Sequence, residues 1–230
     1  MFDLYLTLID ISDADVEHLY RTTWKTLGSL GYQTDYNRVV EVIKNVYEKW
    51  RNYRIKNHVE VNPRLWWFEI LNELKVRANS KIVEEIVQAR HEAFKERIKL
   101  YDDVEENLVL LRQNPWYLGI ISNSSDGVFA RDDIRHLGID SHFDLVVTSA
   151  DLNSRKPDVR IFKKTLEILN VESKDAVLIG DDLLVDIKGA KEVGMLTVYL
   201  DRSGHERYVD IQPDFQISSL NQLQEVLAGL

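Results

Sequence analysis

The sequence predicts an α/β protein in which a doubly wound parallel sheet is interrupted, early in the chain, by a block of helices. Three observations carry this expectation. From about residue 116 short apolar runs alternate with helical segments, the pattern of strands covered on both faces by crossover helices. Residues 11–98 hold no convincing strand. The chain also opens on a short apolar stretch, 1–5, that carries an acid, Asp3. If that stretch joins the later sheet, the helices are an insertion between its first and second strands. The expected organisation is an α/β core domain from 1–10 and 100–230, with an α-helical domain over 11–99.

The inserted helices are expected over 13–30, 37–54, 63–76 and 80–98. In the first, Val16, Leu19, Tyr20, Thr23 and Leu27 recur at three- and four-residue spacing and mark one buried face. Ser80, ahead of Val83 and Glu84, reads as the N-cap of the last. Trp66, Trp67 and Phe68 sit near the start of the third, and at least one of three consecutive residues must face away from a core. In the second half, strands are expected over 117–122, 143–148, 176–180, 196–200 and 214–217. Between them and after them come helices over 126–137, 158–169, 184–193 and 220–228, with Gly138 closing the first of these. Such a sheet gathers its site at the carboxyl ends of its strands.

Composition narrows the function. The 230 residues are 44% hydrophobic and 29% charged, enough apolar material for a sizeable core. The net charge of −9 repels nucleic acid and anionic lipid at long range, so neither is expected as a partner. The absence of cysteine excludes disulfide scaffolds, thiolate zinc sites and cysteine nucleophiles. No apolar run has the length of a membrane span, and the first residues do not read as a signal peptide. A cytoplasmic protein acting on a small molecule, as a monomer or homodimer, is the expectation.

Four clusters fall where predicted strands end: Asp3 through Asp10; Ile120-Ile121-Ser122-Asn123; Lys156-Pro157-Asp158; and Gly180-Asp181-Asp182 with Asp186 four residues on. Singly each has a bland reading. Acids at strand ends are more often turn or helix caps than catalysts, and Ser-Asn, Lys-Pro and Gly-Asp-Asp are common loop chemistry. Together, in this order, they supply an acid, a hydroxyl, a cation and an acid pair to one edge of one sheet.

These motifs resemble those of the haloacid dehalogenase-like (HAD) hydrolase superfamily, and the helical insertion is similar to that superfamily's C1-type cap. The stretch from Leu178 through Ala190, running on to Gly194 and Met195, is especially close to the fourth motif. The resemblance implies a Rossmannoid core and a Mg²⁺-dependent phosphatase acting on a small phosphorylated metabolite. It makes Asp3 the nucleophile that carries an aspartyl-phosphate, Ser122 a donor to the transferring group, and Lys156 the compensating cation. It assigns Asp181 and Asp186 to the metal with Asp3, the backbone carbonyl of Tyr5 as a further ligand, and Thr7 and Asn123 to substrate binding. Charge agrees with a metal. Like charges about 4 Å apart cost roughly 4 kcal/mol at an effective dielectric near 20, more than one lysine offsets for three acids and a phosphate. An all-oxygen set suits Mg²⁺.

Two positions depart from the pattern. Phosphatases of the family usually carry a second Asp, as general acid, where this chain has Tyr5, and Gly where it has Leu6. A phenol is poorly poised for proton transfer at neutral pH. Tyr at that place is what the 2-haloacid dehalogenase branch carries, so a metal-independent dehalogenase working through an aspartyl ester is the alternative, and a weakly active or non-catalytic relative a third. Three features oppose the dehalogenase: Gly180-Asp181 is retained, Phe162 stands where that branch has Tyr after its Lys-Pro motif, and Arg38 is a poor match for its cap arginine. Arg51, Arg54, Lys56 and His58 read as a solvated helix end, with recognition of an anionic substrate tail as the competing reading. His91, His136, His142 and His205 have no metal-ligand spacing.

Overall fold

A computed structural model describes residues 1–11, 16–202, 204 and 210–229; the expected helix start at residue 13 and His205 lie outside them. The chain divides into two compact units, Met1–Asp10 with Lys99–Leu230, and Ile11–Ile98. In the first, two short strands, β1 (Ile9–Asp10) and β2 (Lys99–Leu100), pair antiparallel, Ile9 opposite Leu100 and Asp10 opposite Lys99.

The second unit is four helices, α1 (Val16–Ser29), α2 (Tyr36–Asn57), α3 (Pro63–Glu73) and α4 (Ser80–Lys95). Side-chain caps start three of them. Asp35 accepts from the Arg38 N–H, Asn62 from that of Arg64 with Pro63 at the first helical position, and Asn79 from that of Ile82. Asn79 rather than Ser80 is therefore the cap of α4. α1 packs on α4, and α2 and α4 on α3, around Leu27, Val42, Val46, Leu71 and Ile86. Trp66 and Trp67 are buried while Phe68 is half-buried. Arg54 departs from the solvated end expected for it. It is 5% exposed, 3.2 Å from Glu60, and its guanidinium lies 4.2 Å from the Trp66 ring centre.

The rest of the first unit alternates as expected, with shifts at the ends. α5 (Val104–Leu111) precedes β3 (Gly119–Ser122), followed by α6 (Gly127–His136), β4 (Leu145–Thr148), α7 (Ser149–Leu152) and α8 (Val159–Leu169). Then come β5 (Val177–Gly180), α9 (Lys188–Glu192), β6 (Leu196–Leu200), β7 (Phe215–Ile217) and α10 (Leu223–Ala228). Sequence reading assigned no element to α5 or α7. Asp126 and Asp158 cap α6 and α8, and Gly138, at φ +73°, turns the chain after α6.

All the sheet's pairings are parallel. β3 pairs with β4, Gly119 opposite Leu145, and β5 with β6 and β6 with β7. Phe2 joins the two ladders, bridging Ile120 on one side and Ile179 on the other. The order is thus β4-β3-Phe2-β5-β6-β7, and the first strand anticipated over 1–5 is a single bridging residue. Below it Ile121, Phe162, Leu178 and Ala190 form one buried cluster. Among the described residues no helix is long and apolar enough to cross a membrane.

Candidate active site

Residue 3 leaves the sheet between β3 and β5. The Asp3 N–H donates to the Ile179 carbonyl at 2.9 Å, which aims the side chain past the carboxyl ends of both strands. The chain then folds back at once. The N–H groups of Leu8 and Ile9 both donate to the Leu4 carbonyl, and that of Leu6 to the Ile9 carbonyl. Leu6 sits at φ +66°, in the left-handed region costly to a branched side chain.

Lys156, between α7 and α8, enters from the opposite side. Its Nζ lies 2.5 Å from Asp3 Oδ1, 2.6 Å from Asp186 Oδ1 and 2.7 Å from the Ile121 carbonyl. Its backbone is pinned by Asn123, whose amide oxygen accepts from the Lys156 N–H (2.8 Å) and whose amide N–H donates to the Lys156 carbonyl (2.9 Å).

The acid pair comes from the turn after β5. Leu183–Ile187 is a π-helical turn, wider than an α turn, and Asp182 caps it by accepting from the N–H groups of Leu184 and Val185. The wide turn folds Asp186 back over the strand end, where its Oδ2 accepts from the Asp182 N–H at 3.1 Å. Gly180 leaves room for this: a Cβ there would stand 2.5 Å from Asp186 Oδ2. Asp3, Asp181 and Asp186 each offer a carboxylate oxygen within 4.8 Å of the others. Three hard oxygen donors around one point fit a hard divalent cation.

One ammonium faces these three acids, and all four groups shift upward. Burial raises the Asp3 carboxyl, with Asp181 adding to it against the opposing pull of Lys156. Burial and the neighbouring Asp186 push Asp181 up to about 6. Burial, with Asp3 beside it, pushes Asp186 up to about 6 against the pull of Lys156. Burial disfavours the Lys156 ammonium, but Asp186 and Asp3 outweigh it and hold the amine protonated above its ordinary range.

Asp3, Lys156, Asp181 and Asp186 therefore converge. Ser122 ends β3, 1% exposed, with no hydrogen-bond partner for its Oγ among the described residues. The other expected residues are engaged elsewhere. The Tyr5 hydroxyl donates to Asp133 Oδ2 at 2.6 Å, and burial, with the Asp133 charge, lifts the phenol well above its usual range. Thr7, fully buried, donates from its hydroxyl to Asp181 Oδ1 at 3.0 Å. Both hydrogen-bonding ends of the Asn123 amide meet the Lys156 backbone. Asp133 escaped sequence reading, although its spacing from Ala130 and Ile134 places it on the buried face of α6.

A family model described as haloacid dehalogenase-like hydrolase matches residues 1–200. The glyceraldehyde 3-phosphate phosphatase of Methanopyrus kandleri is 30% identical over 234 residues, spanning all of this chain and 97% of that protein. The enzyme of the same name from Pyrococcus furiosus is 30% identical over 98% of this chain and 91% of its own length. Among solved structures, a HAD phosphatase from Thermococcus onnurineus superimposes with a TM-score of 0.67 at 27% identity, over 99% of this chain and 96% of that one. A 2-haloacid dehalogenase from Pseudomonas syringae pv. Tomato superimposes at 0.76 over the same shares of each chain; at 24% identity that likeness speaks to fold alone.

Proposed function

The chain belongs to the haloacid dehalogenase-like hydrolase family, and from that footing we propose that it is a cytoplasmic, Mg²⁺-dependent phosphatase of small phosphorylated metabolites. One observation carries the reading: two further carboxylates, Asp181 and Asp186, each bring an oxygen within 4.8 Å of one on the nucleophile candidate, Asp3. A carbon–halogen displacement needs one carboxylate and no cation, whereas a phosphoryl dianion entering a cluster of acids needs one. Arg38 adds nothing to the dehalogenase alternative, since it is paired with Glu41 on an exposed face of α2.

Asp3, Asp181 and Asp186, with the Tyr5 carbonyl, would hold the cation. When bound, Mg²⁺ supplies charge neutralisation for the phosphoryl oxygens. Asp3 attacks phosphorus in line; its carboxylate oxygen forms the new bond as the ester oxygen leaves with its electron pair. Lys156 keeps Asp3 ionised and oriented, and the Ser122 hydroxyl donates to a phosphoryl oxygen. Water then attacks the aspartyl-phosphate, releasing phosphate and regenerating the carboxylate. Thr7 and Asn123 position Asp181 and Lys156 in this scheme instead of touching substrate. The helical unit, Ile11–Ile98, one residue shorter than expected because Lys99 pairs in β2, takes the role of a C1-type cap in this reading.

Tyr5 cannot readily supply the proton a leaving alkoxide needs, because its phenol is held to Asp133. The favoured substrates are therefore phosphates with good leaving groups, acyl or aryl. Hydrolysis of an aryl phosphate should depend on Mg²⁺ and stop with chelator. Equal rates in both would end this reading, and chelator-resistant halide release from a 2-haloacid would replace it.

A further inference from the structure

We propose that Arg202 is a positioning residue for the metal-binding edge of the site, acting through Thr7 on Asp181. The inference rests on the reading of that cluster given above. Arg202 follows β6, outside all four motifs, yet its Nε and Nη2 donate to the Thr7 carbonyl at 3.2 and 2.9 Å. The other side of the guanidinium grips Asp103 through Nη1 (3.0 Å) and Nη2 (2.8 Å). Its Cζ lies 3.9 Å from the Tyr101 ring centre. Asp103 is itself held, accepting from the Ser219 hydroxyl at 2.7 Å and the Leu220 N–H at 2.8 Å.

The fork thus ties the loop after Asp3 to three other segments. A lysine would keep the charge and lose the geometry, because a single nitrogen cannot reach across the carbonyl and the carboxylate as the three nitrogens of the planar guanidinium do. The constrained object is the backbone of Thr7, the residue whose hydroxyl donates to Asp181 Oδ1. With its carbonyl clamped, Thr7 has little freedom to turn away. The hydrogen bond in turn holds the Asp181 carboxylate toward Asp3 and Asp186. Partners one step beyond a ligand commonly tune metal affinity about 10- to 100-fold.

The test is Mn²⁺ binding, followed by electron paramagnetic resonance on the full chain at one pH, with thermal melts alongside. Arg202→Lys should weaken Mn²⁺ binding about 10-fold, and Thr7→Val by a similar factor. Because both act on the same hydrogen bond, the double variant should bind no more weakly than Thr7→Val. Should Arg202→Lys fail to fold, Asp103→Asn loosens the same fork from its far side and should weaken binding in the same direction. Wild-type affinity in the folded Arg202→Lys or Asp103→Asn protein, or losses that multiply in the double variant, would overturn the proposal. A wild-type protein that takes up no Mn²⁺ would instead overturn the reading of the cluster and the proposal with it.

Discussion

The turn at 180–187 and the loop at 3–9 contribute to the same site, and they are built differently. The turn keeps its family's residues and is well supported: Gly180 leaves the space, Asp182 caps, and the π-helical winding folds Asp186 back. The loop departs at two positions and shows both departures. Leu6 takes a backbone conformation suited to glycine, and Tyr5 turns its hydroxyl to Asp133. The contrast teaches that the acidic cluster proposed to hold a cation keeps its expected residues, while the position expected to hold a proton donor does not.

The largest effect should come from restoring the missing acid. Tyr5→Asp, combined with Asp133→Asn so that two buried carboxylates do not face each other, should raise turnover on alkyl phosphates about 100-fold and change aryl phosphates little. Unchanged alkyl turnover would mean that leaving-group protonation does not limit the enzyme. On the turn, the effect is one of pH. Asp181 and Asp186 titrate near 6 when folded, above the ordinary carboxylate value of 3.8. Between about pH 4 and 6 the folded state holds more protons than the unfolded one, so metal-free stability falls as pH rises through that window. A cation that needs the ionised acids reverses this. The melting-temperature gain from Mg²⁺ over chelator should therefore grow from pH 4.5 to 7, and a constant gain would contradict the assignment. The smallest effect belongs to Leu6→Gly, which should relieve about 1 kcal/mol of left-handed strain and raise the melting temperature by about 2–4 °C. A melt at or below the wild-type value would place the cost elsewhere.

Convergence of Asp3, Lys156, Asp181 and Asp186 is legible because each lies in the stretch of chain that leaves the carboxyl end of a strand, and a parallel sheet carries all those ends to one edge. Partner choice within the site was less so. Thr7 and Asn123 carry side chains that can bond substrate or protein alike, and only the fold shows Thr7 meeting Asp181 and Asn123 meeting Lys156. Arg202 and Asp103 come from segments with no motif at all. Helix α5 is hard to read in the sequence because its eight residues fall at the join between two textures, and the π-helical turn because its extra width has no compositional mark.

The bridge at Phe2 has a consequence for reactivity. Two ladders, β4-β3 and β5-β6-β7, are spliced by the Phe2 N–H on Gly119, the Ile121 N–H on Phe2, the Asp3 N–H on Ile179 and the Ile179 N–H on Met1. Asp3, the proposed nucleophile, is thus part of the splice. Any fraying of that seam displaces the attacking oxygen directly, which makes cohesion of the sheet and competence of the site one and the same property.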